Sequence, residues 1–144
     1  MKPTPQLIAV DVIIWRTIEG SMEKEILLVK RKNEPFKGHW ALPGGFVEPN
    51  ESLYKAAIRE IKEETDLEIL GLNIICEKSD PKRDPRGRVI SICFSCGCPY
   101  MKEPEPGDDA EDITWIPVLD IIKSSLAFDH EEMVRQWYWD QPKI

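Results

Sequence analysis

The sequence has no apolar run long enough to cross a membrane. Its most hydrophobic stretch, Leu7–Trp15, is interrupted by Asp11 and falls far short of the roughly 20 residues a spanning helix needs. Net positive charge is also missing. Lys and Arg number 19 against 26 Asp and Glu, a formal charge of −7, so the basic stripe of a nucleic-acid binder is absent. Histidine occurs twice, at His39 and His130; neither sits in a motif, and both are expected at the surface or in loops. Cysteine occurs four times, at Cys76, Cys93, Cys96 and Cys98. The run Cys93-x-x-Cys96-x-Cys98 has no second Cys or His pair to complete a zinc site, and its strand pattern predicts buried thiols. So few cysteines fit a reducing compartment better than a disulfide framework, and no small-residue cleavage site follows the opening MKPTPQ; the expected location is the cytoplasm.

What is present describes one folded domain over residues 1–144, with 1–6 as a flexible tail. The chain has 144 residues, of which 42% are hydrophobic and 31% charged, a balance that supports a core without staples. Leu7–Arg16 and Glu25–Lys30 read as a hairpin around Glu19-Gly20-Ser21, and Trp40–Leu42 as a short strand ending at Pro43-Gly44-Gly45. Ser52–Thr65 is the clearest helix, entered through Pro49-Asn50. Leu67–Lys78 and Val89–Cys98 read as strands, Pro99–Asp112 as an acidic surface loop and Ile113–Ile116 as a strand. Helices follow at Pro117–Ser124 and Asp129–Trp139. Strands and helices alternate, which predicts an α/β fold with a mixed sheet covered by helices.

One helix carries its charges in a costly place. At about 100° per residue, Tyr54, Ala57, Ile58, Ile61 and Thr65 share the arc expected to pack on the sheet. Glu60, Glu63 and Glu64 share another. Like charges at this spacing repel by about 0.2–0.5 kcal/mol per pair, and the macrodipole disfavours each anion near the helix C-terminus by about 0.3–1 kcal/mol. A solvated acidic face would tolerate this, and so would a metal site. A carboxylate cluster suits Mg²⁺ or Mn²⁺, which take one or two carboxylates, waters and substrate phosphates. The adjacent Gly44-Gly45 lets backbone approach an ion or phosphate.

Gly45, Glu51, Arg59-Glu60-Ile61 and Glu63-Glu64 resemble the Nudix box, G-x5-E-x7-R-E-U-x-E-E-x-G-U with U apolar. The match is complete except at Asp66, where the family has glycine; Asp tolerates the left-handed conformation expected there better than most residues. Arg31–Phe36 (RKNEPF), Trp40–Val47 (WALPGGFV) and Ser79–Gly87 (SDPKRDPRG) are similar to the ADP-ribose pyrophosphatase branch. The resemblance covers roughly residues 7 to 116. It implies an α/β/α sandwich around a mixed sheet and Mg²⁺-dependent (or Mn²⁺-dependent) hydrolysis of ADP-ribose to AMP and ribose 5-phosphate.

By family position, Glu60 and Glu64 are metal ligands, Glu63 an additional ligand or water-holder, and the Gly44 carbonyl a further donor. Arg59 orients the glutamates, and Glu51 is an outer ligand or structural contact. The general base is either a box glutamate or a residue of the loop Glu105–Asp112, with Glu111 first and Asp109 second. Arg31, Arg83, Arg86 and Arg88 offer guanidinium forks for phosphate; alternatively Arg83 and Arg86 pair with Asp80 and Asp84. Phe36 or Trp15 is a candidate to stack on adenine. Trp137, Tyr138 and Trp139 cannot all face one core, so part of that cluster is expected at a homodimer contact or pocket wall. The expected partner is a nucleoside diphosphate-linked small molecule, with neither nucleic acid nor membrane. Alternative readings are a Nudix pyrophosphatase for another nucleoside diphosphate derivative or an oxidised nucleoside triphosphate, and a non-catalytic ADP-ribose-type sensor.

Overall fold

The computed structural model describes residues 1–99, 102–107 and 110–140. The first strand, β1 (Leu7–Thr17), runs through the middle of a seven-stranded mixed sheet. It lies parallel to β6 (Val89–Gly97) along its length, from Leu7 opposite Val89 to Trp15 opposite Gly97. β2 (Lys24–Arg31) pairs with β1 antiparallel only where Trp15–Thr17 meet Lys24–Ile26. Beyond that point the two strands part. β1 takes β4 (Gly44–Phe46) as its neighbour, while β2 takes β3 (Trp40–Ala41) and β7 (Ala110–Pro117). β5 (Asn73–Lys78) completes the far edge beside β6.

Strand alternation sorts the apolar residues into two layers. Val10, Val12 and Ile14 join Leu27, Phe94, Ala57 and Ile61 under α1 (Leu53–Thr65). Ile13, Ile26 and Leu28 face the other way and pack on Val118, Ile121, Met133, Val134 and Trp137 of α2 (Val118–Ile121) and α3 (His130–Asp140). The result is the expected α/β/α sandwich. Cys93 and Cys96 are buried on opposite faces of β6, one in each layer. No helix among the described residues is long and apolar enough to cross a membrane.

Several local expectations are corrected. Residues 67–72 form no strand; Gly71 turns the chain with φ 67°, while Leu67 and Ile69 anchor the segment in the α1-side core. β7 begins at Ala110, so Glu111 and Asp112 belong to a strand paired with β2. α1 is capped by Ser52, whose side chain accepts from the Lys55 N–H at 3.2 Å, and Pro49-Asn50 lies upstream. The buried face of α1 is Ala56, Ala57, Ile61 and Thr65, whereas Tyr54 and Ile58 are exposed. The helix is thus rotated relative to the expected arc, and that rotation turns Glu60 towards β4. Of the terminal aromatics, Trp137 is core and Trp139 is exposed.

The end of α1 accommodates its departure from the box. Asp66 adopts the left-handed conformation, φ 62° and ψ 13°, and its N–H donates to the Lys62 carbonyl. Lys62 and Lys102 pair with its carboxylate at 2.7 and 3.1 Å, holding that group below the usual Asp range. The next free carbonyls of the helix are also met: Gly107 N–H donates to Glu64 and Glu105 N–H to Thr65, both at 2.8 Å.

Candidate active site

Where β1 and β2 part, a cavity of about 490 Å³ opens, within the size range of small-molecule sites. One wall is built by α1 over the β3–β4 turn. Gly44 N–H donates to Glu64 Oε2 at 3.2 Å. Gly45 lies so close to the Glu60 carboxylate that an added Cβ would collide with it. Arg59 fixes the acids around this turn. It donates to Glu51 Oε2 at 3.0 Å, to Glu60 Oε1 at 2.8 Å, to Glu63 Oε2 at 3.2 Å and to the Phe46 carbonyl at 3.0 Å. That hydrogen bonding, with a second bond from the Glu48 N–H, holds the Glu51 carboxyl down to about 2.

The three box glutamates therefore separate. Glu60 and Glu64 line the cavity, while Glu63 points outward with its side chain 57% exposed and does not. Glu51 is Arg59's partner, away from the cavity lining.

The lining also has a cationic and aromatic part. Arg31 and Arg86 belong to it, with the Arg86 guanidinium 4.7 Å from the Phe46 ring centre and 5.3 Å from that of Phe128. Arg31 lies 5.0 Å from Phe128; burial and the nearby charge of Arg86 lower its pKa. Arg86 also pairs with the buried Asp84 at 2.7 Å. Although burial works against Asp84, the bonds from Arg86 keep its carboxyl below the usual value.

Arg83 does not take the ion-pair partner expected of it. It lines the cavity, yet its guanidinium forks onto Asp129 at 2.6 and 2.9 Å rather than onto the Asp80 side chain, and is almost wholly buried. Burial opposes both charges, and the pair overcomes it: Arg83 is raised and Asp129 lowered.

Other candidates lie elsewhere. Phe36 packs 4.8 Å from Phe128 and supports it from behind, outside the lining. Trp15 packs against the α3-side core. Glu111 is exposed on β7 and does not line the cavity. Asp109 lies outside the described residues. Phe46, Phe128, Asp11 and His130 are cavity residues that sequence reasoning missed. His130 is not a surface residue but 3% exposed, at the start of α3, its Nδ1 accepting from the Leu42 N–H at 3.0 Å. The available signal was Asp11, a lone charge within an Ile- and Val-rich strand.

Among the described residues no three acidic, His or Cys side chains form a ready-made metal cage. The donor set is instead two carboxylates, Glu60 and Glu64, beside a glycine turn without side chains. All are hard oxygen donors, and they fit an ion that completes its shell with water and substrate phosphate.

The two glycines predict different failures. In Gly44→Ala the new Cβ would strike the Val10 backbone carbonyl, so the β1–β4 pairing must move; stability should fall by about 1–3 kcal/mol, read from urea unfolding. In Gly45→Ala the clash is with the movable end of Glu60. Its melting temperature should stay near that of the parent while activity is lost.

A family model of the NUDIX domain matches residues 5–137. The chain belongs to the Nudix family. This Nudix chain is 46% identical over 122 residues to an ADP-ribose pyrophosphatase of Methanocaldococcus jannaschii, covering 83% of the chain and 70% of that protein. It is 32% identical over 136 residues to the ADPR responsive transcriptional repressor NtrR of Acinetobacter baylyi, covering 93% of the chain but only 53% of the repressor. Its fold matches the NUDIX domain of Shewanella oneidensis NrtR, solved in complex with ADP ribose, with TM-score 0.84 and 29% identity over 94% of this chain and 88% of that one.

Proposed function

We propose that this Nudix protein hydrolyses the diphosphate bond of ADP-ribose, releasing AMP and ribose 5-phosphate, with Mg²⁺ or Mn²⁺ as its ion. The observation that carries the reading is the lining of one cavity, which joins Glu60 and Glu64 beside Gly44-Gly45 to Arg31, Arg86, Phe46 and Phe128. A divalent ion at the acids would neutralise phosphate oxygens and acidify water, the two obstacles to phosphoanhydride hydrolysis. Glu60 and Glu64, with the Gly44 carbonyl, would hold that ion. Glu63, which points away from the cavity lining, would serve as an additional ligand or water-holder.

Arg59 keeps Glu60 and Glu63 oriented through its hydrogen bonds. Arg31 and Arg86 meet the phosphate oxygens, and their aromatic neighbours are platforms for a planar base. Water adds across the P–O–P bridge: one P–O bond forms, the bridging P–O bond breaks, and one proton is released to a base. Glu111 does not line the cavity, which leaves a box glutamate or Asp109 as the base. The free thiols of Cys76, Cys93, Cys96 and Cys98 support a reducing, cytoplasmic setting.

A sensor is the second reading, favoured by the similarity to the Acinetobacter repressor. The intact Glu60, Glu63 and Glu64 set favours the enzyme. A substrate panel with Mg²⁺ separates the readings. AMP release from ADP-ribose should exceed turnover of nucleotide sugars, dinucleoside polyphosphates and 8-oxo-dGTP by about tenfold or more, and a chelator should stop it. Equal turnover across the panel would defeat the ADP-ribose assignment. Tight ADP-ribose binding with no AMP release would favour the sensor.

A further inference from the structure

The loop between β5 and β6 makes the same turn twice in succession. Asp80-Pro81-Lys82-Arg83 is followed at once by Asp84-Pro85-Arg86-Gly87. Asp and Pro suit the first positions of a tight turn, Asp through its side-chain oxygen and Pro through its fixed φ. Asp80 Oδ1 accepts from the Lys82 N–H at 2.8 Å, and Asp84 Oδ1 from the Arg86 N–H at 2.9 Å. The Arg83 N–H closes the first turn onto the Asp80 carbonyl at 3.1 Å. The Gly87 N–H closes the second onto that of Asp84 at 3.3 Å.

The copies differ in what the aspartate does next. Asp80 and Lys82 are both exposed. Asp84 is buried, at 4% exposure, and its carboxylate also takes the Arg86 guanidinium, Nε onto Oδ1 at 3.1 Å and Nη2 onto Oδ2 at 2.7 Å. Paired N–H groups on one carboxylate fix the plane of a guanidinium as a single bond cannot. Nη1 has no hydrogen-bond partner among the described residues. The Arg86 side chain is 37% exposed and lines the cavity. Arg83 is the contrast: its Nε and Nη2 lie on Asp129 and its Nη1 on the Val89 carbonyl, with 3% of the side chain exposed.

We infer that Asp84 is a positioning residue, which clamps the Arg86 guanidinium at the cavity so that its uncommitted donors meet an anionic oxygen of the substrate. This rests on the proposed function, in which Arg86 meets the phosphates. A free arginine gives up side-chain freedom when it binds an oxyanion, and Asp84 removes that freedom beforehand. The carboxylate also offsets part of the Arg86 charge. Asp84 therefore trades attraction for direction, and the two effects on affinity have opposite signs.

The test reads kcat and KM for ADP-ribose, with melting temperatures, in wild type, Asp84→Asn, Arg86→Ala and the double variant. Asn keeps an oxygen for the Arg86 N–H, so the turn survives, but sets an amide donor against Nη2 and releases the guanidinium. KM in Asp84→Asn should rise about tenfold while kcat moves less than about threefold. In the Arg86→Ala background the same substitution should change KM by less than about twofold, because the group it positions is gone. A fall in KM in Asp84→Asn would mean that the carboxylate only neutralises Arg86, and would overturn the inference. An equal rise in both backgrounds, or a lower melting temperature with KM unchanged, would mark a structural role and overturn it too. If Asp84→Asn fails to fold, Arg86→Lys decides: it keeps the charge without the fork, so KM should rise, and a wild-type KM would defeat the clamp. Wild type that neither bound nor cleaved ADP-ribose would instead remove the proposed function, and the inference with it.

Discussion

Glu64→Gln should lower ADP-ribose turnover by about 10²–10³-fold, the range seen when one preorganised electrostatic contact is removed, while the melting temperature stays close to wild type. The substitution is nearly isosteric. Its amide oxygen can still accept from the Gly44 N–H, the contact that ties α1 to the glycine turn at 3.2 Å. What disappears is one negative charge and one hard oxygen donor on the cavity wall. The concentration of Mg²⁺ needed for half-maximal activity should therefore rise together with the fall in kcat. Glu63→Gln provides the contrast. That side chain is 57% exposed and outside the cavity, so its loss should be smaller. Equal losses would mean that the two glutamates act as one surface, against the separation seen here; unchanged turnover in Glu64→Gln would remove its assignment as a metal ligand.

Arg83→Met should destabilise the fold by about 3 kcal/mol, the lower end of the cost of breaking a buried pair, or about 10 °C in melting temperature for a domain of this size. Its guanidinium is 3% exposed and forked onto Asp129, so removing it leaves a largely buried carboxylate without its counter-ion. Replacing Asp129 as well, in an Arg83→Met, Asp129→Leu double variant, should recover part of the loss because no unpaired charge remains.

The pH dependence has a definite sign. Asp129 is held below the ordinary value of 3.8 in the folded protein. Its contribution is therefore fully present above that value and lost as pH falls through the depressed folded pKa. Wild type and Arg83→Met should differ most near neutral pH and converge in strong acid. A fall in ADP-ribose affinity with unchanged melting would instead make Arg83 a substrate contact.

The parts of the site legible in the sequence were those written into a single helix and the turn beside it. Glu60 and Glu64 lie one helical turn apart, and Gly44-Gly45 stands next to them in the fold as well as near them in the chain. The rotation of α1 was not legible. Tyr54 and Ile58 are as apolar as the residues that are buried, and only docking against β1 and β4 decides which arc turns inward. The pairing of Asp11 with His130 escaped for a related reason. It joins the middle of the first strand to the start of the last helix, and no local spacing links two positions so distant along the chain. Arg83 was visible as a charge near Asp80 and Asp84, but its partner Asp129 comes from α3's approach to the sheet. Glu111 read as a loop acid because prolines and acids precede it; pairing of Asp112 with Lys30 extends the strand to include it.

The proposed hydrolysis depends most on an ion held by Glu60 and Glu64 against the diphosphate of a bound nucleotide. A crystal structure with Mg²⁺ and the methylene-bridged analogue of ADP-ribose, which cannot be cleaved at its bridge, tests this directly. The predicted result is an ion in contact with the Glu60 and Glu64 carboxylates and the diphosphate oxygens, with Arg31 and Arg86 also meeting the phosphates. A diphosphate bound away from these acids, with only water beside them, would contradict it.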